Sequence, residues 1–315
     1  MKIVILDGHT VNPDDLSWEP FEALGKVEVY PRTPPDQLVE RAKGAEAVLI
    51  NKIKLDRAEI NLLPELRYIG LCATGFDNVD LDAASEKRIT VTNIPSYGTA
   101  SVAQHAFALI LELTNRVGLH NKSVHDHEWE RNADFSYFKA PIIELQGKIL
   151  GILGYGAIGK QVAAIASAFG MEVLVHSAYA KEIETGELAS VEELFRRSDF
   201  LSIHAALNER TENLVSKALL NEMKPTAYII NTSRGAIINE PDLADHLNEG
   251  KIAGAALDVL SKEPPVADNP LLSARNCIIT PHCAWISREA RQRLLDIAVG
   301  NLKGFLEGKP RNVVG

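Results

Sequence analysis

Apolar residues in the first hundred positions come in short, dense runs separated by polar stretches with helical spacing. KIVIL (2–6), VEVY (27–30), AVLI (47–50), YIGL (68–71) and ITVTN (89–93) have the length and β-branched content of strands. Helical segments such as PDQLVERAKG (35–44) lie between them. Strands alternating with helices predict a parallel sheet covered on both faces. The fifth run ends before Pro95, and SVAQHAFALILELTNRV (101–117) follows as a long helix. Residues 120–146 break the rhythm, with Trp129, Phe135, Tyr137 and Phe138 scattered among charges. That stretch is too aromatic for disorder; it either folds back over its own domain or embraces a second subunit, and analogy favours the second.

A second alternating series opens at Lys148. KILGIL (148–153), EVLVHS (172–177), FLSIHA (200–205), AYIINTS (227–233), GAALDVL (254–260) and CIITP (277–281) predict six strands, the number in a dinucleotide-binding sheet. Residues Ser287 to Leu306 form one amphipathic helical pattern that stops near Gly308 and Pro310. The fold class this implies is α/β, with two doubly wound parallel-sheet domains.

A chain of 315 residues is too long for one ordinary core, which agrees with two domains. Its net charge of −9 argues against a nucleic-acid partner, which needs a basic face, yet leaves room for an anionic substrate held by one buried Arg. The N-terminal run from Ile3 to Leu6 is too short for a signal-peptide core, and no stretch reaches the roughly 18 apolar residues of a membrane span. Cys72, Cys277 and Cys283 are odd in number and lack CxxC spacing, so structural thiols, no metal and a reducing cytoplasm are expected.

The chemistry begins at Gly154-Tyr155-Gly156-Ala157-Ile158-Gly159. GxGxxG alone is weak, but here a strand precedes it and the helical KQVAAIASAFG (160–170) follows. Gly154 makes the tight turn, Gly156 admits a pyrophosphate, and Gly159 lets helix and strand pack closely. The helix N-terminus then offers free N–H groups to the phosphates. At the end of the next strand, where a carboxylate usually binds the adenosine ribose, stands Ser177, with no acidic residue before Glu182 and only Lys181 as a nearby cation. Either NAD(H) or NADP(H) is therefore expected.

Arg234, Glu263 and His282 each sit at or just beyond the C-terminal end of a predicted strand, where ligands bind in such a sheet. A keto-acid reductase needs these three groups. A guanidinium grips a carboxylate through two parallel hydrogen bonds. An imidazole protonates the carbonyl oxygen, and a carboxylate beside it fixes its tautomer and favours its charged form. His105, inside an apolar helix, and His204, at a strand end, are expected to make structural hydrogen bonds. Lys52 either reaches substrate or is simply solvated.

These pieces, with CATGFDNVDLDAA (72–84), NIPSYGTASVAQHAFALIL (93–111), NTSRGAIINE (231–240), ALDVLSKEPP (256–265) and TPHCAW (280–285), resemble the D-isomer-specific 2-hydroxyacid dehydrogenases along essentially the whole chain. The resemblance implies that Arg234, Glu263 and His282 are catalytic, with His282 the proton donor in reduction. It implies that Ala73, Thr74 and Gly75 help hold the substrate carboxylate. Val102, Ala157, Ile158 and Thr232 would contact the cofactor, and Asp258 would bind its carboxamide. It further implies a flavodoxin-like substrate domain (1–98 and 285–315), a Rossmann NAD(P)-binding domain (99–284) and a homodimer. Glycerate or hydroxypyruvate is the expected substrate pair, with D-lactate the alternative. A cofactor-sensing binding protein of the same fold is the rival from another class.

Overall fold

The computed structural model describes residues 1–180 and 182–315; Lys181, the one cation near the ribose position, lies outside the described residues. The chain divides into two compact units, 1–98 with 286–315, and 99–285, so Trp285 falls in the second unit.

The first unit holds five parallel strands, β1 (Lys2–Ile5), β2 (Lys26–Val29), β3 (Ala47–Ile50), β4 (Tyr68–Leu71) and β5 (Thr90–Thr92), in the order β2-β1-β3-β4-β5. Strands β3 and β4 are buried along their whole length, as expected for a sheet covered on both faces. The returning helix Arg288–Leu306 packs on β4, capped by the Ser287 hydroxyl, which accepts from the Ala290 amide. Within this unit the carboxylate of Asp15 holds the Arg291 guanidinium by a two-pronged ion pair of 2.6 and 2.7 Å.

The second unit has seven parallel strands rather than six. They are β6 (Ile149–Leu153), β7 (Glu172–His176), β8 (Glu187–Leu188), β9 (Phe200–Ile203), β10 (Tyr228–Asn231), β11 (Gly254–Leu257) and β12 (Cys277–Ile279). The extra strand, β8, is two exposed residues on the sheet edge, too short to show any period in sequence. The order β12-β11-β10-β9-β6-β7-β8 reverses direction between β6 and β9, and that switch point opens the crevice where such sheets bind ligands. Side-chain alternation builds a core on each face. Leu150 and Ile152 of β6 pack with Phe107, Ile110 and Val162 on one side, whereas Leu153 packs with Leu201, Ile203 and Leu194 on the other.

Two local expectations shift. The helix after the glycine motif begins at Ala157, three residues early, so the motif itself supplies its first turn. The irregular segment 120–146 starts inside a helix, Val117–His125, and is then tied down by Ser123 to the Tyr137 hydroxyl and by Trp129 Nε1 to the Phe135 carbonyl. Its Trp129, Phe135, Phe138 and Ile142 stay exposed, Phe135 at 90%.

Candidate active site

The glycine motif spans the turn from β6 into the helix Ala157–Ala168. Gly154 has a φ of +101°, and a Cβ there would lie 2.7 Å from the backbone of His204 and Ala205 on the neighbouring strand connection. A Cβ on Gly159 would come within 2.2 Å of the Gly154 carbonyl, whereas one on Gly156 would meet nothing within 4 Å. Gly154 and Gly159 are therefore required by packing, and Gly156 faces open space, which is what a pyrophosphate resting on the helix N-terminus needs. Gly156 and Ala157 are exposed and Ile158 is half-buried beside them. Thr232, at the end of β10, adds a buried hydroxyl with no partner among the described residues. Val102 is buried on the helix Thr99–Asn115. These features fit a nicotinamide dinucleotide.

At the ribose end, Ser177 follows β7. Its oxygen accepts from the amides of Tyr179 (3.3 Å) and Ala180 (3.1 Å), so its loop already uses the acceptor side of the hydroxyl. What remains for a ligand is the hydroxyl proton, a donor that suits a phosphate as well as a ribose hydroxyl.

Arg234 follows β10 in a loop organised by Asn231, whose side chain donates to the Arg234 carbonyl and accepts from Ser233. The half-buried guanidinium donates to the Ser233 carbonyl and forms no ion pair among the described residues, leaving its charge for an anion. Gly235 lets this loop lie flat on the backbone of Leu260 and Ser261. Glu240, a buried carboxylate, then clamps the next loop by accepting from the Ser261 amide and hydroxyl and from Asn269 Nδ2. That loop carries Glu263. One Glu263 oxygen accepts from the Leu260 amide (3.2 Å), and the other lies 2.6 Å from His282 Nδ1. Because a carboxylate only accepts, Nδ1 carries a proton toward Glu263, and Nε2 is the nitrogen left to exchange a proton with substrate.

The structure thus joins Glu263 to His282 directly and packs the Arg234 loop against the Glu263 loop. Asp258, which the resemblance implies would bind the cofactor's carboxamide, sits at the base of the loop that carries His282. It is buried, and its two oxygens accept from Thr280 Oγ1, the Cys283 amide and the Ala284 amide. Burial acts to raise its pKa, but the hydrogen bonds from His105, Thr280 and those amides outweigh it and hold the group below its ordinary value. His105 Nε2, Asp258 Oδ1 and Cys283 Sγ lie within 4.8 Å of one another, yet each is already engaged in hydrogen bonds, so the cluster reads as a polar hub rather than an ion cage. Burial, aided by Asp258, pushes the Cys283 thiol up, and burial pushes Cys277 up to about 12 and Cys72 further still, so each shift favours the thiol over the thiolate.

In the first unit, the loop after β4 is pinned by Thr74 Oγ1 to the Ile94 carbonyl and by Asn93 Nδ2 to the Thr74 carbonyl. The amides of Ala73, Thr74 and Gly75 take no acceptor among the described residues, as an anion-holding loop requires. Lys52 is exposed; Asp7 binds its amide and those of Asn51 and Ile53. Glu240 and Gly235 went unnoticed as site residues in the sequence. The only available signal was their place in NTSRGAIINE, beside Arg234.

His204, just past β9, donates or accepts through Nε2 at 2.8 Å from Ser202 Oγ, and its Nδ1 is sealed with no partner among the described residues. Burial pushes its pKa down to about 4. The folded chain therefore binds this proton later than the unfolded chain does, whose His titrates near 6.5. Stability contributed by neutral His204 is full above pH 6.5 and is lost as pH falls toward 4. Denaturant unfolding should show about 2 kcal/mol of acid destabilisation between pH 7 and pH 5 that a His204→Gln variant lacks. Equal pH dependence in both proteins would refute it.

Residues 107–284 match the family described as D-isomer specific 2-hydroxyacid dehydrogenase, NAD binding domain. A hydroxypyruvate reductase of Blautia hydrogenotrophica is 48% identical over 320 aligned positions, covering 100% of this chain and 99% of that one. A glycerate dehydrogenase of Methylorubrum extorquens is 38% identical over 316, covering 99% and 98%. An acyclic imino acid reductase solved with NADPH and D-Arg superposes with a TM-score of 0.88 at 29% identity, covering 100% of both chains.

Proposed function

Because the chain belongs to the D-isomer-specific 2-hydroxyacid dehydrogenase family, we propose that it interconverts hydroxypyruvate and D-glycerate, with the unit 99–285 as the cofactor domain and the unit 1–98 with 286–315 as the substrate domain. The reaction class is that of the family, a nicotinamide-dependent oxidoreduction at a CH–OH carbon. The 2.6 Å contact between Glu263 and His282 carries the assignment of roles. Bound nicotinamide dinucleotide supplies the hydride in reduction and accepts it in oxidation. His282 gives the proton from Nε2 to the carbonyl oxygen in reduction, and takes it back in oxidation. Glu263 holds the imidazole in that orientation. Arg234 grips the substrate carboxylate. On the first unit, taken by itself, the amides of Ala73, Thr74 and Gly75 are offered to an anion.

The substrate choice rests on the two named relatives, and a keto-acid panel tests it. Hydroxypyruvate should show the highest kcat/KM, at least about tenfold above pyruvate. A preference for pyruvate would instead make the enzyme a D-lactate dehydrogenase. Turnover with any keto acid also rejects a pure cofactor sensor, which binds NADH without consuming it. For the cofactor, no carboxylate at Ser177 repels a 2′-phosphate, so NADH and NADPH should differ by less than about a hundredfold in kcat/KM, or roughly 2.7 kcal/mol. Ser177→Asp should shift preference toward NADH. A wild type more than about a thousandfold selective would mean that another residue reads the ribose.

The exposed Trp129, Phe135 and Phe138 are the surface by which a second copy would pair with this chain, and sedimentation equilibrium reading a single-chain mass would overturn that. No helix among the described residues is long and apolar enough to cross a membrane. With three unpaired cysteines, a reducing cytoplasm is the proposed setting.

A further inference from the structure

We propose that His105, on the helix Thr99–Asn115, is a positioning residue for His282, acting at one remove through Thr280 and Asp258. The proposal rests on the reading of His282 as the proton donor. Thr280 Oγ1 lies 2.5 Å from Asp258 Oδ1. An ionised carboxylate can only accept, so the single Thr280 proton is committed there. The 3.1 Å contact between Thr280 Oγ1 and His105 Nε2 then has one polarity, with Nε2–H donating to the hydroxyl oxygen. The same Nε2 lies 3.4 Å from Asp258 Oδ1. His105 therefore completes a directed chain, Nε2–H to Thr280 to Asp258, and each link strengthens the next.

The loop this chain holds is the one that presents His282. The Asp258 carbonyl accepts from the His282 amide at 2.8 Å, and its carboxylate accepts from the Cys283 and Ala284 amides at 2.9 and 2.8 Å. Ser101, four residues before His105 on the same helix, donates to the Ala284 carbonyl at 2.6 Å. The helix thus grips the loop at both ends, at Thr280 through His105 and at Ala284 through Ser101. That grip matters because His282 has a φ of +52°, a left-handed conformation that a residue with a Cβ seldom adopts and that its neighbours here hold in place. Loosening the Thr280 end lets the backbone relax and turns the imidazole away from its productive place.

The test compares His105→Phe, which keeps a ring and loses the donor, with His105→Gln, which restores an N–H near the Nε2 position. Thr280→Val and the His105→Phe/Thr280→Val double variant complete a cycle. Measured are kcat and KM for the keto acid, the NADH dissociation constant by fluorescence, and the thermal midpoint. His105→Phe should lower kcat about 10- to 100-fold, with KM and NADH binding within about threefold of wild type. His105→Gln should recover kcat to within about threefold, Thr280→Val should match His105→Phe, and the double variant should be no worse than either. An unchanged kcat in His105→Phe, a Gln variant no better than Phe, or losses that multiply in the double variant would each overturn the proposal. If His105→Phe does not fold, Thr280→Val decides: an unchanged kcat there overturns it. His282→Asn, measured alongside, separates the two ideas. Retained activity in that variant defeats the reading of His282 as the acid, whereas its loss beside an intact His105→Phe enzyme defeats only the positioning role.

Discussion

Replacing His282 with alanine should lower kcat by about 10²–10⁴-fold while NADH binding stays within about threefold. The loss follows from removing the nitrogen that exchanges a proton with the substrate oxygen. Glu263 is beside it, but that carboxylate accepts from the Leu260 amide and is turned toward Nδ1, away from the exchange. Alanine at a φ of +52° adds a backbone cost, so His282→Asn is the companion variant, since asparagine tolerates that conformation and carries no titratable proton. Both should be inactive to a similar degree if the acid is what is lost. A kcat above about a tenth of wild type in the Asn variant would remove His282 from the role of acid.

Gly235→Ala should cost nearly as much activity through a different route. A methyl group there would lie 1.9 Å from the Leu260 carbonyl carbon and 2.3 Å from the Ser261 amide nitrogen, all of it main chain that cannot swing aside. The Arg234 loop and the Glu263 loop must then separate, and displacement of a catalytic group by about 1 Å is enough to lose roughly 10²-fold in rate. Overpacking of this kind also costs about 1–3 kcal/mol in stability, visible as a lower thermal midpoint. NADH binding, which depends on the glycine motif after β6, should change little. Activity within about threefold of wild type would show that the two loops do not need their observed contact.

The sequence by itself determined what depends on neighbours along the chain. The β-branched runs of β3 and β4 and the strand-turn-helix at Gly154–Gly159 are legible because strand period and glycine geometry are local constraints. Arg234, Glu263 and His282 were legible as candidates because each follows a readable strand. Strand β8 was not, since two exposed residues carry no period. Tertiary structure alone decided which groups meet. The contact of Glu263 with His282 spans 19 residues, Glu240 reaches Asn269 across 29, and His105 reaches Thr280 across 175. It also made Asp258 the hub that holds the His282 loop, a role no local pattern announces. Such pairings leave no mark in local composition, because a hydrogen bond selects a donor and an acceptor in space and the sheet order that juxtaposes them is set by the burial of whole strands.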